Sequence, residues 1–291
     1  MSEPPPRVVD AHVHHWDPVR TDWYPFLATD DALAGLGMAD TGRMRRPYPQ
    51  QTYLAETGHW NVEKYVHVTA AVGHCVAETG ELADLATRTG RPDAIVGGID
   101  PHQDAAGVLA QLDAQCAAPA FRGVRATEGL DHGSATGRAL LSALEERGLV
   151  YDLVVHPDEM ARAAGELEPF GDLTIVIEHT GWPLSAERSH FESWREGMTR
   201  LAALGDRVQC KLSGLAMTLN RFDVAAFRPW IEHCLEVFGD ERCFFASNFP
   251  VDGLFGDFGE LYTVYSELAA GLGPAARERL FAGNAERVYG C

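Results

Sequence analysis

Leu173-Thr174-Ile175-Val176-Ile177 is apolar on both faces of a strand, with Thr174 as its single polar residue. A strand with one wet face alternates apolar and polar residues, because successive side chains point to opposite sides. A continuous apolar run instead suits a strand of a parallel sheet covered on both faces. Similar runs recur on either side, at 7–14, 64–71, 94–100, 121–126, 149–156, 207–214 and 242–250, with this one spanning 173–179. Amphipathic segments separate them and predict helices at 51–60, 80–89, 104–116, 136–147, 157–167, 186–204 and 224–238. Two more helices are expected after the eighth run, at 260–272 and 274–288. Eight strands alternating with helices in 291 residues predict an α/β fold, a (β/α)8 TIM barrel formed by the single domain 1–291. An open doubly wound sheet would call for a glycine-rich phosphate loop after the first strand, and the sequence has none. The long connection 17–61, rich in Trp, Tyr, Pro and Arg, is expected to cover one mouth of the barrel.

Composition narrows the partners. The chain carries 24 Lys and Arg against 42 Asp and Glu, a formal charge of −18. That balance argues against nucleic acid and anionic membrane as partners and leaves a small-molecule substrate. Six scattered cysteines form no CxxC pair, and the first residues show no apolar leader, so reduced thiols and a cytoplasmic location are expected. The sequence leaves homo-oligomerisation open.

Active sites of such barrels lie at the C-terminal ends of the strands. There the sequence offers an informative set of polar residues. In Val8-Val9-Asp10-Ala11-His12-Val13-His14-His15-Trp16, alternation turns His12 and His14 to one side and His15 to the other. Two neutral imidazoles on one face can share a divalent cation. Their bland reading is a pair of packed barrel histidines. Strand two carries His67, placed equally well against substrate or as filler. Strand four ends in Arg125, whose planar fork suits a carboxylate; the competing reading is an ion pair with Glu128 or Asp100. Strand five ends in His156, strand six in Glu178-His179, strand seven contains Lys211, and strand eight ends in Asn248 with Asp252 four residues on. Metal ligation is assigned to His12, His14 and His156, with zinc or manganese as the metal. Substrate binding falls to Arg125, His67 and Lys211.

This arrangement resembles the amidohydrolase superfamily, and longer motifs resemble its amidohydrolase-2 or lactonase-like branch. They are Asp10-Ala11-His12-Val13-His14-His15-Trp16-Asp17-Pro18, Phe121-Arg122-Gly123-Val124-Arg125, Glu178-His179-Thr180-Gly181, Cys210-Lys211-Leu212-Ser213-Gly214 and Ser247-Asn248-Phe249-Pro250-Val251-Asp252. The resemblance implies a hydrolase that opens a small lactone or related cyclic ester, of sugar-acid or aromatic-catabolite type. His12, His14, His156 and His179 match the histidines of the family pattern. The fifth position, an aspartate in that pattern, is Asn248 here. An amide is a poor base, so proton transfer passes to His179 or to Asp252. Asn248 is then left to orient water or substrate. The same site also suits a decarboxylase or other lyase, or a ligand-binding protein on a retired scaffold. Relatives in this branch include enzymes that act without a metal, so a metal-independent route stays open.

Overall fold

The structure is a computed structural model that describes residues 6–29, 41–71, 73–126 and 130–291. Eight parallel strands form one sheet in sequence order. They are β1 (Arg7–Val13), β2 (Asn61–Val68), β3 (Ala94–Gly98), β4 (Phe121–Arg125), β5 (Val150–Leu153), β6 (Ile175–Ile177), β7 (Val208–Leu212) and β8 (Cys243–Phe245). The ring closes where β8 runs on beside β1. Val13 bridges Phe249, Asn248 N–H donates to His12 O at 2.9 Å, and His14 N–H donates to Phe249 O at 2.9 Å. The molecule is the TIM barrel that the strand count implied.

Helices follow the strands, as α1 (Gln50–Glu56), α2 (Cys75–Thr89), α3 (Ala105–Gln115), α4 (Ala135–Glu146), α5 (Met160–Leu167), α6 (Arg188–Ala202), α7 (Leu215–Leu219), α8 (Val224–Phe238), α9 (Phe258–Leu268), α10 (Pro274–Glu278) and α11 (Asn284–Tyr289). Asp104, Ser134, Asp223 and Asp257 accept backbone N–H groups at helix starts, each cap worth about 1 kcal/mol. Several bounds move by a few residues, and two expectations change more. The second helix begins at Cys75, five residues before the expected start at Gly80, because Gly80 is tolerated inside it. The expected helix 274–288 is three pieces, with a π turn at Arg279–Gly283 between α10 and α11. None of the described helices is long and apolar enough to cross a membrane.

The strands bury two different faces. Tyr65, Val124, Leu153, Ile175, Ile177, Cys210 and Phe245 pack outward with the helices. Val66, Val68, Ala94, Val96, Val150, Val176, Phe244 and Ala246 form a smaller inner cluster with Ala282, Ala285 and Tyr289. The segment 279–289 therefore packs against the end where the strands begin. Polar ties fix it there: Arg7 to Glu286, Lys64 to Glu286, and Asn284 Nδ2 to Cys243 O. The connection 17–61 carries much of its own core. Tyr24, Leu27, Met44, Tyr48 and Tyr53 are buried, and Trp16 Nε1 donates to Met44 O at 3.0 Å. Residues 30–40 of it lie outside the described residues.

Candidate active site

Local backbone irregularities aim the polar side chains. Between Asp10 and Val13 β1 spends one residue more than β2, since Asp10 pairs with Tyr65 and Val13 with His67. Such a bulge re-aims the residues beyond it. Val9 and Ala11 belong to the inner cluster, and past the bulge His12 and His14 face inward while Val13 packs outward. Asp10, buried behind the bulge, accepts Ser247 N–H on Oδ1 and Tyr53 OH on Oδ2, both at 2.8 Å. It staples β1 to the segment after β8.

On β6 alternation carries Glu178 to the same face as Val176. His179 reaches the pocket by another route. Its backbone and that of Thr180 are left-handed, with φ of 52° and 57°. Such conformations cost non-glycine residues of order 1 kcal/mol or more and cluster at functional sites. Thr180 is held by Ser213 and by Trp194 Nε1. The His179 ring lies on Gly214, where an added Cβ would meet His179 Cβ at 2.6 Å, so only glycine fits.

These elements bring a compact buried cluster together. His12 Nε2 and His14 Nε2 are 3.1 Å apart, and His14 Nδ1 is 2.8 Å from Val68 O. The His12 and His179 rings are 4.4 Å apart between centroids, and His179 Nδ1 pairs with Ser213 Oγ at 3.0 Å. Lys211 Nζ donates to Asp152 Oδ2 at 2.5 Å and lies 3.3 Å from His12 Nδ1. Glu178 sits between two cations, with Arg125 at 3.0 Å from Oε2 and Lys211 at 3.9 Å from Oε1. Burial, with the charges of Lys211 and Arg125 added, holds His12, His14 and His179 well below the ordinary imidazole range. Neutral imidazole is the form that ligates metals.

Ligand atoms of His12, Glu178 and His179 all lie within 4.8 Å of one another. Glu178 Oε1 is buried and has no hydrogen bond among the described residues. A buried carboxylate oxygen without a donor calls for a cationic partner. Two nitrogens and one oxygen are a donor set that zinc accepts, so these residues fit a divalent cation. Glu178 and Asp152 balance Lys211 and Arg125 in charge, which leaves the site less attractive to a cation than an acidic one.

The placement differs from expectation at several residues. His156 is not brought to the cluster. Its ring packs edge-on against Trp182 at 5.7 Å, and it lines a separate cavity of about 300 Å³ with His132 and Tyr151. β5 ends at Leu153, so residue 156 is already in the loop, beyond strand alternation. His67 is turned outward. The bulge pairs it with Val13, and its Nε2 accepts His15 N–H at 2.9 Å behind the sheet. Arg125 does reach the pocket, and its partners are Glu178 and Thr69 O at 2.8 Å; Asp100 is not among its partners, and the other expected one, Glu128, lies outside the described residues. Asn248, with φ of 58°, donates to Asp252 Oδ1 at 2.8 Å, so the loop after β8 does fold back. Asp252 Oδ2 has no hydrogen-bond partner among the described residues, and burial pushes its carboxyl up to about 8. Glu178 and Asp152 are the site residues that sequence reasoning missed. The available signal was a carboxylate two residues beyond an apolar inner position, Val176 or Val150, on a strand otherwise apolar.

The amidohydrolase family model matches residues 9–291. An L-fucono-1,5-lactonase of Burkholderia ambifaria is 31% identical over 293 residues, covering 97% of this chain and 94% of the relative. An L-fucono-1,5-lactonase of Burkholderia multivorans is 28% identical over 302 residues, covering 97% of this chain and 95% of the relative. Among solved structures, an amidohydrolase of Burkholderia multivorans crystallised with bound zinc superposes with a TM-score of 0.82 at 25% identity, covering 98% of this chain and 99% of that one.

Proposed function

We propose, from the premise that this chain belongs to the amidohydrolase family, that it opens a small sugar-acid lactone at the cluster of His12, His14, Glu178 and His179. Membership of that family and the lactonase-named relatives make it a hydrolase-type enzyme. The observation that carries the finer reading is the buried convergence of neutral imidazoles, two carboxylates and two cations at the C-terminal end of the barrel. Ester hydrolysis needs a group that stabilises negative charge on the carbonyl oxygen and a group that moves a proton.

The first role suits the positive charge of Lys211, whose Nζ lies 3.3 Å from His12 Nδ1 beside the His12–His14 pair. Zinc or manganese held by His12, Glu178 and His179 would add Lewis-acid polarisation of the carbonyl. Arg125 and Lys211 hold Glu178 from two sides and keep its carboxylate aimed at His12, 3.5 Å away.

Asp252 is favoured over His179 for proton transfer. A carboxyl with a pKa of about 8 and one unpartnered oxygen becomes ionised as pH rises toward 8, where it can accept a proton and return it. His179 is engaged through Nδ1 with Ser213 and through its place in the donor set. In this scheme water adds to the lactone carbonyl as Asp252 takes its proton. The ring C–O bond then breaks as the proton returns to the departing oxygen, leaving the open hydroxy acid. Asn248 holds Asp252 at 2.8 Å.

The test is a panel of sugar-acid 1,5-lactones and pyrone dicarboxylates incubated with the protein, with and without added zinc or manganese. Release of acid above the spontaneous rate, abolished in His12→Ala, supports the reading. Turnover of an aromatic acid with loss of carbon dioxide instead would replace it with a decarboxylase.

A further inference from the structure

We propose that Glu78, on α2, is a positioning residue that fixes the Arg125 guanidinium through the peptide group joining Thr69 to Ala70. Only its kinetic readout rests on the proposed lactonase reading.

Arg125 is buried and divides its two terminal nitrogens between two anchors. Nη1 donates to Glu178 Oε2 at 3.0 Å, and Nη2 donates to Thr69 O at 2.8 Å. The second anchor is a main-chain carbonyl just past β2, and it points only where its planar peptide group points. Thr69 N–H continues the ladder by donating to Val96 O at 2.8 Å, which fixes the peptide before it. The peptide after it is held by Glu78. That bond is trans, so its C=O and N–H point opposite ways. Ala70 N–H donates to Glu78 Oε1 at 3.3 Å, and Ala71 N–H donates to the same oxygen at 3.1 Å. With Ala70 N–H turned to Glu78, Thr69 O is turned to Arg125. One planar unit carries the placement of the Glu78 carboxyl to the guanidinium.

The carboxyl is itself held on both oxygens. Oε2 meets Thr69 Oγ1 at 2.5 Å, and Tyr24 OH, from the covering connection, donates to Oε1 at 3.3 Å. Glu78 is buried, and burial pushes its carboxyl up to about 7. The arrangement does not depend on that proton. Main-chain N–H groups only donate, so Oε1 accepts in either state, and the Thr69 hydroxyl can donate to Oε2 or accept from it. What positions the peptide is an acceptor at the length of a glutamate side chain, not its charge.

Two variants separate length from charge. Glu78→Gln keeps the length and an acceptor oxygen and loses the charge. Glu78→Asp keeps the charge and draws the acceptor back by one methylene. The experiment is proton–nitrogen NMR of arginine-labelled protein with steady-state kinetics on a turned-over lactone. Arg125 Nε–H, buried and without a hydrogen bond among the described residues, is the reporter, assigned by its loss in Arg125→Lys. Glu78→Gln is expected to leave this resonance at its parent position and kcat/KM within about threefold. Glu78→Asp shifts the resonance and lowers kcat/KM about tenfold, the scale of one hydrogen bond to a charged group. In an Arg125→Lys background Glu78→Asp costs no further activity, because the residue it acts through is already changed. Where Glu78→Asp fails to fold, Glu78→Met, of similar length and without the acceptor oxygens, takes its place with the same expected shift. An Arg125 resonance undisturbed by loss of the acceptor overturns the proposal. So does a resonance displaced more in Glu78→Gln than in Glu78→Asp, and so do additive losses in the double variant, which a merely structural role would give. If the parent opens no lactone, the functional reading fails and the spectra still decide this one.

Discussion

Burial pushes the Asp252 carboxyl up to about 8 from an ordinary 3.8, and two consequences separate its proposed roles. In catalysis, Asp252→Asn is expected to lower kcat by roughly 10²–10⁴-fold, the usual contribution of a general base. Steady-state rates on one lactone check this, and a smaller loss in Asp252→Asn than in His179→Ala would move the proton to His179. In stability the sign follows from linkage. The unfolded chain gives up this proton near 4, the folded chain near 8, so the contribution is complete below about pH 4 and is lost as pH rises through about 8. Melting temperatures of the parent should therefore decline over that window relative to Asp252→Asn, which cannot ionise. Parallel pH curves for the two proteins would show that the carboxyl is already ionised in the fold. Gly214 gives a third residue-level prediction. Gly214→Ala, at φ of +68° and against His179, should cost at least about 1 kcal/mol of stability and displace the His179 ring, read as a lower melting temperature together with a lower kcat.

At the scale of elements, the bulge in β1 and the left-handed turn after β6 are what turn a stack of strands into a site. Asp10 secures the first. Asp10→Ala would leave Ser247 N–H and Tyr53 OH without their buried acceptor, at a cost of about 2–4 kcal/mol for two lost partners. Denaturant unfolding is the check, and a change under about 0.5 kcal/mol, the range of an ordinary surface substitution, would show that the bulge holds itself. The same elements mark the limit of sequence reading. Strand positions came from apolar runs and helices from their spacing, and Val224–Phe238 falls where its periodicity put it. His12 and His14 were legible as a same-face pair because alternation is local. The bulge was not; His67 lies behind the sheet by plain alternation, since Val66 and Val68 on either side of it fill the inner cluster. Glu178 and Asp152 left only a weak signal, a carboxylate two residues past an apolar inner position, for a different reason. Their meaning comes from Arg125 and Lys211 on other strands, and such pairings leave no mark in neighbouring residues.

At the scale of the whole molecule, the barrel joins groups from both of its ends. Strand ends supply the imidazoles and Glu178, while Tyr289 enters with the helix packed against the strand starts. The interior charges balance, two carboxylates against two cations, inside a chain of net charge −18. Zinc or manganese affinity is accordingly expected to be modest. The central claim, hydrolysis at the buried cluster, is tested most directly by titrating acid release from a panel of sugar-acid 1,5-lactones. The parent protein is assayed beside His12→Ala, each with and without added zinc. The account predicts saturable acid release by the parent well above the spontaneous rate, and release at the spontaneous rate in the variant. Equal rates in parent and variant, with zinc and without it, would contradict it.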